Sequence, residues 1–246
     1  MGRVLVESAL MVTPLMLNNL LPPSGERTAG SAVAHAMQVM DVERLLGLDV
    51  EPALTGFLGA HRALFDGALT YYSVMHFAVT AAAAVILALV RPQLWARMRT
   101  TFVAGSLAAL VVSRLWPLAP PNLLTGAGFD AVAAASHPPN PYAAMPSLHT
   151  AWALWSVLAL ILAARPYDRR LRALAAAAGG THLGVIVLIV LSTGHHFVLD
   201  VLGGVGVIAL GAGVAAAQRR RGSAPGRWRV RWPRRRQACS ASAISP

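Results

Sequence analysis

The chain has no lysine, a single cysteine and few charges for its length, and each shortage closes off a class of protein. With only Cys239, in the terminal tail, an internal disulfide and a thiolate metal cluster are both excluded, and that position gives the thiol no part in catalysis. Charged residues are 13% of the 246 positions against 56% hydrophobic, and the mean hydropathy is +0.55, values that do not suit a soluble domain of this size. No stretch alternates with period two, which removes the lipid-facing strands of a membrane barrel. What is left is a polytopic, all-α membrane protein. Its formal charge of +11 rests on arginine alone, clustered beside apolar runs, so it reads as a topology signal and not as a surface for nucleic acid.

Apolar runs near the roughly 20 residues needed to cross the hydrocarbon layer fall at 4–21, 69–90, 101–118, 147–164, 173–191 and 197–217, which predicts about six transmembrane helices. The first run has only Arg3 before it and no small-x-small site ahead of Pro22, so residues 1–25 read as an uncleaved N-terminal transmembrane segment rather than a signal peptide. Between 26 and 68, mixed charges accompany apolar residues at helical spacing, such as Val39, Val42, Leu45 and Leu46, a pattern suited to helices lying along the membrane surface. The segment 119–146 is rich in Pro, Gly and Asn and too polar to span. The sequence thus divides into the first segment, a membrane domain at 26–217, and a basic tail at 218–246 that is expected to be disordered. Arg219 to Arg236, with Trp228 and Trp232 between the arginines, suits anionic lipid headgroups.

Clustered arginine at 91–99, at 165–172 and after 218 puts those segments on the cytoplasmic side of a cell membrane. The loop at 119–146 and the turn at 192–196 then share the extracytoplasmic face. Both hold histidine: Pro146-Ser147-Leu148-His149 ends the loop, and His195 and His196 sit in the second island. His196 and Asp200 are four residues apart, on one face of a helix, so the carboxylate can accept a ring proton and leave the other nitrogen's lone pair free to attack. A helix start, backbone amides and the extra imidazole of His195 favour an anion such as phosphate as the target. His149, from another helix, is placed to protonate the departing oxygen, and Ser147 to hydrogen-bond a phosphoryl oxygen.

These motifs resemble the type 2 phosphatidic acid phosphatase (PAP2) superfamily, in which a PSGH-like motif and an H-x-x-x-D motif sit at the outer ends of membrane helices. They read here Pro146-Ser147-Leu148-His149 and His196-Phe197-Val198-Leu199-Asp200, and the preceding NPYAAM together with GHHFVLDVLGG is most similar to the branch containing the inositol phosphorylceramide synthases. Similar segments continue upstream in ERLLGLDVEPAL, YYSVMHFAVT and PLAPPNLL, so the likeness covers roughly 30–215. The resemblance implies a PAP2-like helix bundle in which His196 is the nucleophile forming a phosphohistidine, Asp200 its orienting partner and His149 the general acid. It implies a phospholipid or polyprenyl-phosphate substrate and hydrolysis or transfer of the phosphoryl group, with no cofactor. The family's first motif departs here: its lysine is missing, Asn122 follows Pro121 where the closest branch has arginine, and Val190 replaces another family arginine. Arg114 is the arginine placed to substitute.

Bland readings stand beside these. Arg114 is equally well explained as snorkelling to the interface, His76 as a helix-to-helix hydrogen bond within a span, Asp130 as a turn residue, and His195 as a loop donor. A metal held by His149, His196 and Asp200 would tie up the lone pair the nucleophile needs, so no metal is expected. The alternative function is a catalytically impaired relative that binds lipid or serves transport.

Overall fold

The structure is a computed structural model describing residues 10–14, 16, 17, 20, 26–124, 126–132 and 140–222. Most of the expected span at 4–21 and most of the basic tail therefore lie outside the described residues. Within them the chain is helical, with no strands and one isolated bridge between Leu118 and Ala143. Two helices, α1 (Glu26–Leu46) and α2 (Glu51–Gly59), precede the long apolar ones. Helix α3 (Arg62–Thr70) runs through a π-helical turn, Tyr71–Met75, into α4 (His76–Val90). Then come α5 (Pro92–Leu115), α6 (Leu148–Ala164), α7 (Arg169–Ser192) and α8 (Val198–Gly222).

The boundaries follow local chemistry. Pro92 opens α5, where a missing N–H costs nothing. The Asp168 side chain caps α7 by accepting from Leu171 N at 2.8 Å, and Ser147 caps α6 by accepting from Thr150 N at 3.3 Å. Gly47 and Gly194 end α1 and α7 at φ +66° and +68°, a left-handed geometry that glycine adopts without penalty.

Four helical stretches, Arg62–Val90, Pro92–Leu115, Arg169–Ser192 and Val198–Arg220, are long and apolar enough to cross a membrane. Helix α6 is apolar but shorter, at 17 residues. It is nonetheless central, touching α4, α5, α7 and α8. Its Trp155 is fully buried and donates Nε1–H to the Met98 carbonyl at 2.8 Å, while Trp152 donates to Ser106 Oγ at 2.9 Å. Around this core, large apolar side chains such as Leu89, Val111, Leu115, Leu188 and Leu210 point outward, as a lipid-facing surface requires.

The two amphipathic helices are more than a surface raft. Helix α1 buries Ala32, Ala36, Val39 and Met40 against Leu118, Phe129 and Phe197, while Val42, Leu45 and Leu46, which were expected to share the apolar stripe, are exposed. The difference is one of phase: the buried face follows the small alanines, which let the helix approach the 116–132 loop. His35 closes that contact, its Nδ1 donating to the Pro117 carbonyl at 2.7 Å and its ring stacking on Trp116 at 4.8 Å.

Helices α5 and α8 meet backbone to backbone through glycine. A Cβ on Gly105 would come within 2.8 Å of the Val207 carbonyl, and one on Gly211 would run into the Thr101 carbonyl. Gly211→Val is therefore expected to lower thermal stability in detergent, on the scale of about 1–3 kcal/mol for overpacking. Gly213→Val, where a Cβ meets nothing within 4 Å, is the control and should leave the melting temperature unchanged.

Candidate functional site

The turn between α7 and α8 is built so that two consecutive histidines face inward. Gly194 turns the chain, and the amides of His195 and His196 both donate to the Val190 carbonyl, at 3.0 and 3.1 Å. Gly194 is pressed against Asn122: an added Cβ would sit 3.2 Å from Asn122 Cβ and from its amide nitrogen. Asn122 N in turn donates to the Gly194 carbonyl at 2.9 Å, so the 3₁₀ turn Pro121–Leu123 acts as a floor under the histidine turn.

Both motifs meet at one cavity of about 100 Å³, lined by His149, His195 and His196 together with Tyr72, Ser113, Asn140, Ala144 and Leu148. The imidazoles of His149 and His196 have centroids 5.8 Å apart and planes inclined at 57°. His196 Nδ1 lies 2.8 Å from the Ala144 carbonyl and 3.4 Å from Asp200 Oδ2. A carbonyl oxygen can only accept, so Nδ1 carries the proton and Nε2 keeps the lone pair. The sequence assigned the tautomer to Asp200 alone; the nearer acceptor is the backbone at Ala144, held in place by the 116–119 strand-like segment through Ala144 N to the Leu118 carbonyl at 3.3 Å. Asp200 is fully buried and its Oδ2 also accepts from Phe197 N at 2.9 Å, so it is both a helix cap and a second partner for the imidazole.

His149 is held by stacking. Tyr72 lies over it at 4.0 Å and over His195 at 4.4 Å, while His76 packs behind at 4.5 Å and itself stacks on Trp152 at 5.3 Å. Tyr72 is placed by the π-helical turn, an irregularity that often accompanies function. His76 is buried and does not line the cavity, so it supports His149 from behind and takes no place among the cavity walls.

The remaining expected residues divide. Ser147 is fully buried and its Oγ accepts from Thr150 N and Oγ1, so its oxygen is engaged in capping α6. His195 lines the cavity, with Nδ1 2.8 Å from Thr193 Oγ1. Neither Arg114 nor Asn122 lines it; Arg114 Nη1 donates to Ser113 Oγ at 3.4 Å, one residue from the wall. Asp130 Oδ1 accepts from Gly126 N at 3.0 Å, a turn contact. Among the described residues no cluster of three or more His, Cys, Asp or Glu has the arrangement of a metal site.

The first amides of α8 do not wait for an anion: Phe197, Val198 and Leu199 donate to Asp200 Oδ2, Glu51 Oε1 and Glu43 Oε1, the latter two at 2.7 Å. The helix start that opens onto the cavity is α6, whose Leu148 and His149 are among its walls; the Thr150 amide is taken by Ser147 Oγ, while those of Leu148 and His149 have no acceptor within the helix.

Sequence reasoning missed Tyr72, Asn140 and the two glutamates. Glu43 left a trace, since it continues the buried stripe 32, 36, 39–40 of α1 as an acidic residue on an apolar face. Glu51 left none. Compared with known proteins, the chain matches a family model, described as PAP2 superfamily, over residues 37–214. No curated protein and no solved structure matches it.

Proposed function

The chain belongs to the PAP2 superfamily, and from that premise we propose that it is an integral membrane lipid phosphatase or phosphotransferase that works through a phosphohistidine at His196. The observation that carries the reading is the pairing at His196: Nδ1 is engaged by the Ala144 carbonyl and Asp200, and the ring borders the same cavity as His149. Nε2 attacks phosphorus, the bond from phosphorus to the lipid oxygen breaks, and that oxygen takes a proton from His149. Water or an alcohol then attacks the phosphohistidine, giving its proton back to His149 and releasing His196. Water gives a phosphatase; a hydroxyl such as that of inositol gives a transferase related in activity to the inositol phosphorylceramide synthase branch.

The first turn of α6, the His195 ring and the Asn140 side chain border the space in which the phosphoryl oxygens would lie. We assign Arg114, one residue from the wall, to the approaching headgroup, and Asn122 to the support of the histidine turn. We also read the bundle as about six spans, α6 and the segment at 4–21 included, with the site on the extracytoplasmic face and the tail in the cytoplasm of a multi-pass cell-membrane protein.

A second reading is favoured by one fact: among the described residues that line the cavity there is no arginine. A relative that binds lipid phosphate without turning it over would look the same at this level. The purified protein in detergent, offered phosphatidic acid, lipid diphosphates and inositol-containing phospholipid with and without free inositol, separates the two. Release or transfer of phosphate supports the enzyme; binding without turnover on every substrate supports the alternative.

Asp200→Asn gives a finer check. The amide keeps an acceptor for Phe197 N but removes the buried charge facing the imidazole, so kcat should fall on the order of 10²-fold or more while KM stays level.

A further inference from the structure

The first turn of α8 begins two residues after His196 and carries Asp200, so its placement bears on both. Its three leading amides are each satisfied by a carboxylate, and two of these come from far away in the chain: Glu51 from the start of α2 and Glu43 from the last turns of α1. Both are buried, at 2% and 1% exposure. A serine or threonine would cap a helix at far less desolvation cost, so stability alone does not account for two buried carboxyl groups at this point. Their bonds to Val198 N and Leu199 N, both 2.7 Å, are short and directional.

We propose that Glu43 and Glu51 are positioning residues for His196: α1 and α2 grip the first turn of α8 and hold the His196–Asp200 pair in register with His149. The inference rests on the proposed function, in that its kinetic consequences need turnover.

The chemistry of the pair makes it testable. Burial pushes the Glu43 carboxyl up to about 8, with the negative charges of Glu51 and Asp200 adding to the rise. Burial also raises Glu51, although its amide bonds and the hydrogen bond from Glu43 oppose the rise. At neutral pH one proton is thus shared, Glu43 donating it to the Glu51 carboxylate. The other charged groups around the pair are Arg44 and Asp49, which line the same small cavity, and Asp200 on α8. Above about pH 8 the proton leaves and two like charges face each other at the helix start.

Glu43→Gln copies the protonated form: its carbonyl accepts from Leu199 N and its NH₂ donates to Glu51. It should keep near wild-type kcat at neutral pH and lack the alkaline fall expected of the wild type around pH 8. In Glu43→Gln/Glu51→Gln both carbonyls are needed by backbone amides and the two NH₂ groups oppose, so kcat should drop, as it should in Glu51→Ala, on the order of 10²-fold at unchanged KM.

A readout that needs no turnover is ¹⁵N NMR of histidine-labelled protein in detergent, with the His196 signals identified by their loss in His196→Ala. The wild type should show the Nδ1–H tautomer with a step in its shifts near pH 8, Glu43→Gln the same tautomer without the step, and Glu51→Ala a mixture of tautomers. The same His196 spectrum in wild type and Glu51→Ala, or an alkaline step that survives in Glu43→Gln, would overturn the proposal. Absence of turnover in the wild type with the NMR pattern as described would remove the enzymatic reading and leave the grip on His196 standing.

Discussion

Replacing His196 by alanine is expected to reduce turnover of every lipid phosphate by at least about 10⁴-fold, because in the proposed mechanism the substitution removes the atom to which phosphorus is transferred. The structure makes this loss specific to one nitrogen. His196 Nδ1 is committed to the Ala144 carbonyl at 2.8 Å, with Asp200 Oδ2 behind it at 3.4 Å, so Nε2 is the nitrogen left for the proposed attack. Folding should survive the change, since the ring borders a cavity and the His196 amide keeps its bond to Val190. Melting temperature in detergent close to that of the wild type, beside the absence of turnover, is the expected pair of results. Residual turnover above a few per cent would place the nucleophile elsewhere.

Loss of His149 should be smaller and should depend on the substrate. A general acid contributes about 10²- to 10⁴-fold when the leaving oxygen is that of an ordinary alcohol, which departs badly as an alkoxide. His149→Ala should therefore cost about that much with phosphatidic acid, and far less with p-nitrophenyl phosphate, whose leaving group needs no proton. The contrast matters because His149 is wedged between Tyr72 and His76, at 4.0 and 4.5 Å, and its removal opens a gap in the stack. A packing defect would slow both substrates alike; a missing acid slows only the first. Equal losses on the two substrates would take the acid role away from His149.

The parts of the molecule that were legible in the sequence are those governed by short-range rules. The apolar runs at 69–90, 101–118, 147–164, 173–191 and 197–217 lie within or against α3–α4, α5, α6, α7 and α8, with helix ends extended by a turn or more where Arg62, Pro92 and Arg169 begin the helices. The four-residue spacing does bring His196 and Asp200 within 3.4 Å, although not on one helix face as expected, since α8 begins only at Val198 and His196 lies before it. What the sequence hid was set by contacts between distant segments. Ala144 fixes the His196 ring through a backbone carbonyl, which has no side-chain signature at all. Glu43 and Glu51 reach α8 across 156 and 147 residues, and Asp200 had been given a simpler task than the two it has. Tyr72 sits between two imidazoles only because the helix loosens into a π-turn there. The arginines were a poor guide to the site: among the described residues none lines the cavity, and Arg114 Nη1 donates to Ser113 Oγ one residue from the wall.

That last point changes how substrate is expected to be held. On the proposed function, phosphate would meet the start of α6 and the imidazoles of His149, His195 and His196, with no arginine among the described residues of the wall. Binding should accordingly lean on the first turn of α6 and on the lipid's own chains in the bilayer more than on long-range attraction.

The central claim is a covalent bond between phosphorus and His196, and one measurement addresses it directly. The protein is mixed with a lipid phosphate substrate, quenched within milliseconds into alkali, where phosphohistidine survives, and digested for mass spectrometry. The account predicts a single peptide carrying one phosphoryl group, with the modification at His196 and none at His149 or His195. Turnover in the absence of any phosphorylated histidine, or phosphate found on another of the three, would contradict it.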